Sequence, residues 1–247
     1  MMNTIVERLA PAGTKCRPGY KRNGFAGVTI HNTGNTAKGA GAFNHASYLQ
    51  GGGKEFQTSW HYVTDGMSVY RSIPEDEMAW HAGDGATGTG NSKTIAIEIC
   101  VNPDSDLTAA TDNAAYLTAD ILKRNGVSDV RSHVFQHNKW SGKNCPQWLR
   151  EGKPYSWDTF IGKVEGYMNT ATEKPPVSTP APVYMTVNTR VLRLILNKSF
   201  NGRTATGGTV ALMPKGSVVE FLEKGNDQWY KVKYNGQVGY ASTEYLK

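Results

Sequence analysis

The groups best suited to nucleophilic, acid–base or metal chemistry in this chain are six histidines and three cysteines. The histidines are His31, His45, His61, His81, His133 and His137. His31 falls near the end of the β-branched run GVTIHN (27–32) and is followed by the loop NTGN. A side chain at such a position is aimed off the end of a sheet, where open α/β folds place their sites. In HNKWSGKNCP (137–146), His137 stands eight residues before Cys145, and Lys143 stands two before it. The cysteine has four possible roles: buried thiol, half of a disulfide, nucleophile or metal ligand. An odd cysteine count with no recognisable secretory leader argues against a disulfide framework. Cys100 ends the apolar run TIAIEIC and reads as a small core hydrophobe; Cys16 takes no assignment. His31, His137 and Cys145 together offer two imidazoles and one thiolate, a donor set that matches zinc and leaves a fourth position for water.

These residues need elements to hold them. GVTIHN and TIAIEICV (94–101) read as buried strands, and WHYVTD with GMSVYRSI as a hairpin turning at Asp65-Gly66. Helices are expected over 39–50, 108–125 and 156–168, the second ended by Gly126 and the third capped by Ser156. Strands alternating with helices imply an α/β domain with a central mixed β-sheet flanked by helices. The Pro- and Thr-rich tract TATEKPPVSTPAP lacks large apolar residues and reads as a semi-rigid linker. Beyond it, TVALM, SVVEFLE, QWYKVKY and QVGYAS are punctuated by PKG, KGND and NG, as in a small all-β barrel. The expected boundaries are 1–169 for a catalytic domain, 170–183 for the linker and 184–247 for the barrel.

The ordered set of HNTGN after a strand, IAIEI in a second strand, and H-x7-C with its lysine and following proline resembles the zinc-dependent N-acetylmuramoyl-L-alanine amidases of the amidase-2 family. These are relatives of peptidoglycan recognition proteins, and SGKNCP-like stretches occur in phage endolysins and related autolysins. The match covers roughly residues 20–150. The resemblance implies His31, His137 and Cys145 as ligands of one zinc ion, with Lys143 beside the metal and Glu98 on the neighbouring strand as catalytic groups. Amide cleavage needs an activated water, and zinc lowers the pKa of bound water to about 7. Glu98 lies in an otherwise apolar run, where an unpaired carboxylate is costly; a general base or a buried ion pair would account for it. Lys143 would stabilise an oxyanion. Trp60, His61 and His81 (in AWHAGDG) are expected to contact substrate along the groove, while His45 reads as packing or surface. His133 is a weaker ligand choice than His137, whose spacing to Cys145 fits the family. Two departures stand out: Trp60 precedes His61 where some relatives carry tyrosine, and HNK replaces HRD, which touches only the surroundings of the ligands. The competing readings are a cysteine-dependent peptidoglycan endopeptidase and a non-catalytic peptidoglycan-binding protein. The first normally places its cysteine ahead of its histidine and at a helix start; the second would be expected to have lost a ligand.

The tail resembles bacterial SH3-like wall-binding domains through KG…V…W.KV..NG..GY….YL, with Trp229, Tyr230 and Tyr240 as its aromatic surface. Residues 184–247 hold nine Lys/Arg against four Asp/Glu, most of the net +6 of the chain. A basic module suits anionic wall polymers and would concentrate the enzyme on them. The expected partner is bacterial peptidoglycan, with no nucleic acid, no membrane insertion and a monomeric protein. No apolar run approaches the ~20 residues of a membrane-spanning helix. The start MMNTIVERLAPAG lacks the cationic and apolar segments of a secretory leader. The expected route is therefore host cytoplasm, then the wall after release, as for a phage endolysin, or secretion by a route other than Sec.

Overall fold

The computed structural model describes residues 5–169, 184–195, 200–201, 204–205, 208–224 and 228–247. The expected linker, 170–183, lies outside the described residues. The chain divides into two compact units, Met1–Ser178 and Thr179–Lys247.

The first unit contains β1 (Ile5–Glu7), β2 (Gly27–Asn32), α1 (Ala42–Gln50), β3 (Tyr62–Thr64), β4 (Val69–Arg71), α2 (Thr89–Lys93), β5 (Thr94–Ile99), α3 (Leu107–Arg124), β6 (Val134–Gln136), α4 (Asn138–Ser141), α5 (Gln147–Arg150) and α6 (Trp157–Asn169). Its six strands form one mixed sheet in the order β1-β4-β3-β5-β2-β6. β2 runs parallel to both β5 and β6, and β3 parallel to β5, while β3 and β4 form the antiparallel hairpin.

Side-chain alternation along the strands sorts the residues onto two faces. Val28, Ile30, Ile95, Ile97 and Ile99 pack into one core with α3 and α6. Ala96, Cys100 and Val63 belong to a second core with Ala42, Ala46 and Leu49 of α1. His31 and Glu98 share the parity of this second face, and they are direct Cα partners across β2 and β5. Both strands are buried at nearly every residue because helices cover both sides of the sheet.

The helices begin and end close to their expected limits. α1 starts three residues later than expected, because Gly39 is left-handed (φ +81°) and Gly41 is extended. Gly41 has no side chain to cap the helix, so the Asp65 carboxylate from the hairpin turn accepts from Ala42 N at 2.8 Å. Its other oxygen accepts from Met67 N and Ser68 N, fixing the turn. α3 is capped by Asp106, whose side chain accepts from Ala109 N at 3.0 Å. Near its C-terminus Arg124 grips Glu75 with two nitrogens, 2.9 and 3.0 Å, and Glu75 also accepts from Tyr62 Oη at 2.6 Å. At the start of β2, Gly27 has φ +141°, and a Cβ there would lie 2.0 Å from His133 O. Only glycine lets β6 approach β2 this closely.

The second unit contains β7 (Tyr184–Thr186), β8 (Val191–Ile195), the short pair β9 (Phe200–Asn201) and β10 (Thr204–Ala205), then β11 (Thr209–Pro214), β12 (Val218–Lys224), β13 (Trp229–Tyr234) and β14 (Gln237–Ser242). Six of these strands make an antiparallel sheet in the order β11-β8-β14-β13-β12-β7. Its core is Val187, Leu192, Leu194, Met213, Val219, Val232, Ala241 and Leu246. Trp229 and Tyr240 are half-buried, and Tyr230 packs edge-on against Phe221. No helix among the described residues is long and apolar enough to cross a membrane.

Candidate metal centre and cleft

His31 and His137 are brought together by strand register. Ile30 and Gln136 are Cα partners on parallel strands, and the residue after each is a histidine, His31 within β2 and His137 just past the end of β6. His137 N donates to Ile30 O at 3.3 Å, and the two imidazole centroids lie 4.7 Å apart. Cys145 returns to them through a tight loop. α4 is a single turn closed by left-handed Gly142 (φ +73°), after which the chain doubles back. Asn138 N donates to Cys145 O at 2.8 Å, and its side-chain amide donates to Gly142 O and Lys143 O, both at 2.9 Å. Asn138, of the departing HNK triplet, thus ties down the loop that carries Lys143 and Cys145.

The ligand atoms of His31, His137 and Cys145 all lie within 4.8 Å of one another, and all three residues are buried. Nδ1 of His31 is 3.0 Å from Nδ1 of His137 and 3.8 Å from Sγ of Cys145. Zn–N and Zn–S bond lengths imply edges of about 3.3–3.6 Å between ligands on one tetrahedral ion, so the spacing suits a single cation. Burial drives both imidazoles toward the neutral form: it holds His31 well below its ordinary range, with His81 and His137 adding to the effect. His137 is lowered by burial and then by Lys143. Burial also pushes the Cys145 thiol up to about 12. Neutral nitrogens and a desolvated sulfur facing one another are a poor arrangement for an empty core and a good one for a soft dication. The donor set fits zinc.

Glu98 sits beside this cluster. Its Oε1 is 3.9 Å from His31 Nδ1, and its Oε2 is buried without a hydrogen-bond partner. Burial raises its pKa to about 8, against a downward pull from Lys143. Glu98, Lys143, Trp60, Trp80 and His81 line a cleft of about 570 Å³ together with the three cluster residues. Lys143 itself is exposed.

The residues expected along the groove separate. Trp60 lies in the cleft wall with its indole nitrogen unpartnered, as does Trp80, which sequence reasoning passed over. His81 is also in the wall, but its Nδ1 is 3.0 Å from His31 Nε2, so it braces the cluster from behind. His61 does not line the cleft. It is fully buried; its Nε2 donates to Glu77 O and its Nδ1 accepts from Ala96 N, both at 2.9 Å. With both nitrogens committed to the main chain it pins the sheet and has none left for substrate, which corrects its expected substrate contact. His45 donates to Gly41 O and packs edge-on against Trp60, while His133 donates to Asp129 O, away from the cluster. Cys16 and Cys100 are buried free thiols in the second core. Asn91, another residue the sequence did not flag, accepts from the main chain of His81 and Ala82. It lies ten residues from His81 in a Gly-rich stretch without periodicity, so no local pattern announced it.

Comparison with known proteins agrees with this geometry. The family described as N-acetylmuramoyl-L-alanine amidase matches residues 21–148, and the bacterial SH3 domain family matches residues 202–247. The amidase CwlH of Bacillus subtilis is 40% identical over 183 residues, covering 74% of this chain and 67% of that one. The amidase XlyA of the same organism is 40% identical over 165 residues, 67% of this chain and 52% of the relative. The solved catalytic domain of XlyA superposes with a TM-score of 0.59 at 39% identity, covering 65% of this chain and 99% of that domain. Similarity to the endolysin of Staphylococcus phage 2638A is more local, 31% over 106 residues, 41% of this chain and 20% of that protein. The chain thus spans two thirds of CwlH and about half of XlyA. On a mixed α/β unit with a buried His-His-Cys cluster, followed by an antiparallel SH3-family unit, the conclusion is that this chain belongs to the N-acetylmuramoyl-L-alanine amidase family.

Proposed function

We propose that the chain hydrolyses bacterial peptidoglycan at the amide joining the lactyl group of N-acetylmuramic acid to L-alanine, with one zinc ion held by His31, His137 and Cys145. The observation that carries the reading is the convergence of three buried lone-pair donors beside an unpartnered carboxyl, within one cleft. When bound, zinc supplies Lewis acidity, lowering the pKa of water toward ~7 and polarising a carbonyl.

The rest belongs to this chain's own groups. Glu98 takes the proton of the attacking water as oxygen bonds to the carbonyl carbon. It returns that proton to the L-alanine nitrogen as the C–N bond breaks. Lys143, exposed at the cleft, offsets negative charge developing on the carbonyl oxygen. Trp60 and Trp80 give the cleft an apolar wall that limits water. Trp60 has no acidic proton to donate, so proton handling falls to Glu98. A thiol-nucleophile role for Cys145 is disfavoured by its burial and its thiol pKa of about 12.

The SH3-family unit is read as a wall anchor, its basic charge suited to anionic wall polymers and its linkage raising the local concentration of the enzyme on its substrate. Likeness to a phage endolysin supports a lytic role, with action at the wall after release from a host cell. Mass spectrometry of digested walls from several Gram-positive species tests the reaction. New free L-alanine N-termini are expected; new reducing sugars or cut cross-bridges in their place would refute it.

A further inference from the structure

Both histidines of the cluster meet one dipeptide, His81–Ala82: His31 meets the His81 ring, and His137 Nε2 meets the Ala82 carbonyl, with Ser141 Oγ also 3.0 Å from that nitrogen. Ala82 O lies 3.1 Å from His137 Nε2. A carbonyl can only accept, so this contact places the His137 proton on Nε2 and leaves the Nδ1 lone pair facing His31. The neighbouring residue serves the other ring: His81 Nδ1 is 3.0 Å from His31 Nε2, and the two rings meet edge-on with centroids 5.0 Å apart. When His31 Nδ1 gives its lone pair to a cation, its proton must sit on Nε2, and His81 Nδ1 is the atom in position to accept it.

The dipeptide is itself held. Asn91 Oδ1 accepts from His81 N at 2.8 Å and from Ala82 N at 2.7 Å, and its amide donates to Gly85 O at 3.1 Å. Asp84 then fixes the strand-ward end by accepting from Gly90 N at 2.7 Å and Asn91 N at 3.1 Å. At Gly90 a Cβ would come within 2.4 Å of the Ala82 Cβ and 2.9 Å of the Trp140 ring. Main chain and side chains are packed too tightly here for the dipeptide to shift alone.

The geometry points to His81 as the positioning residue of the metal centre, setting the tautomer and ring angle of His31, with Asn91 as the clamp that keeps His81 and the Ala82 carbonyl in register with the two ligands. This rests on the zinc reading above. Outer groups of this kind fix ligand orientation, and their loss typically costs 10–100-fold in metal affinity.

The test uses the full chain and zinc itself, by competition with a chromophoric chelator, with circular dichroism as the check on folding. His81→Leu removes the acceptor and is expected to bind zinc 10–100-fold more weakly, with an altered visible spectrum after cobalt(II) substitution. His81→Asn keeps an oxygen near the Nδ1 position and is expected to recover most of both. Wild-type affinity and an unchanged cobalt spectrum in His81→Leu would overturn the assignment while leaving the zinc reading intact. A wild-type chain that binds no zinc would overturn both. If His81→Leu does not fold, long-range 15N NMR of the zinc-loaded wild type decides: a protonated Nε2 on His31 with an unprotonated Nδ1 on His81 supports the assignment. Zinc coordination through His31 Nε2, or a protonated His81 Nδ1, refutes it.

Discussion

Replacing Glu98 with glutamine separates catalysis from folding at one atom. The side chains are isosteric, and Glu98 Oε2 has no hydrogen-bond partner to lose. The substitution therefore removes a proton acceptor without opening a cavity. Zinc content should stay at the wild-type level, and kcat should fall about 10²–10⁴-fold, the usual worth of a positioned acid–base group, or ~2.7–5.5 kcal/mol of barrier. Stability should move the other way. The carboxyl is carried from 4.5 to about 8 by burial. The unfolded state thus gives up its proton at a lower pH than the folded state does. Stability of the metal-free wild type then falls as pH rises from about 4.5 to about 8. Glutamine carries no such loss. In chelator-treated protein, Glu98→Gln should match wild type near pH 4 and exceed it by on the order of 3 kcal/mol at pH 7. Urea unfolding at several pH values reads the second effect, and release of free L-alanine N-termini from purified wall reads the first. A zinc-loaded Glu98→Gln protein hydrolysing at the wild-type rate would sink the proton-transfer role. A stability gap independent of pH would sink the account of its burial.

Cys145→Ser swaps a soft donor for a hard one, so zinc content and wall lysis should fall together, and chelation of the wild type should abolish lysis until zinc is restored; full zinc and full lysis in Cys145→Ser would contradict the ligand set. Gly27→Ala places a methyl 2.0 Å from His133 O at φ +141°. It should cost at least ~2 kcal/mol in chemical unfolding, because the β2–β6 pairing must open to admit it; a neutral result would refute that packing. Glu75 is pushed up by burial but pulled further down by Arg124 and Tyr62, leaving it below its ordinary value. Its contribution is present above that ordinary value and lost as pH falls through the lower folded one. Glu75→Gln should destabilise by about 1–2 kcal/mol at pH 7 and by much less at pH 3, as followed by thermal unfolding.

What the sequence revealed and what it hid follow a physical division. GVTIHN and TIAIEI announced themselves because parallel strands buried on both faces are rich in β-branched residues on both parities. The site's outline was legible for a similar reason: His31, Glu98, His137 and Cys145 sit at strand ends or in a short loop, where their order survives in the primary structure. Residues committed to long-range contacts were not legible in this way. His61 looked like a wall of the groove, yet its ring spans Glu77 O and Ala96 N, 16 and 35 residues away. His81 reads as a cleft residue and does line the cleft, but the contact of its Nδ1 with His31, 50 residues earlier, leaves no trace in the local sequence. Asn91 gave no signal at all, because its hydrogen bonds run to main-chain groups whose position only folding creates. Asn138 stands out in the sequence only as a departure from HRD; its tie across residues 138–145 arises when the loop folds back on itself.

The register of β2 against β6 has a consequence for how such a centre can vary. The separation of the two imidazoles is dictated by the spacing between neighbouring strands and cannot drift without unzipping the sheet. The sulfur, by contrast, hangs from a seven-residue loop fastened at Asn138 and Gly142. Two coordinates of the centre are therefore quantised by backbone hydrogen bonding, and one is continuous. Changes from Gly142 to Asn144 act chiefly on the continuous one, whereas Ser141 Oγ also meets His137 Nε2 at 3.0 Å. Selection or design for a different cation has its freedom there, within the limit set by Trp140, whose ring packs edge-on against Phe135 of β6 and whose indole nitrogen donates to Thr29 of β2.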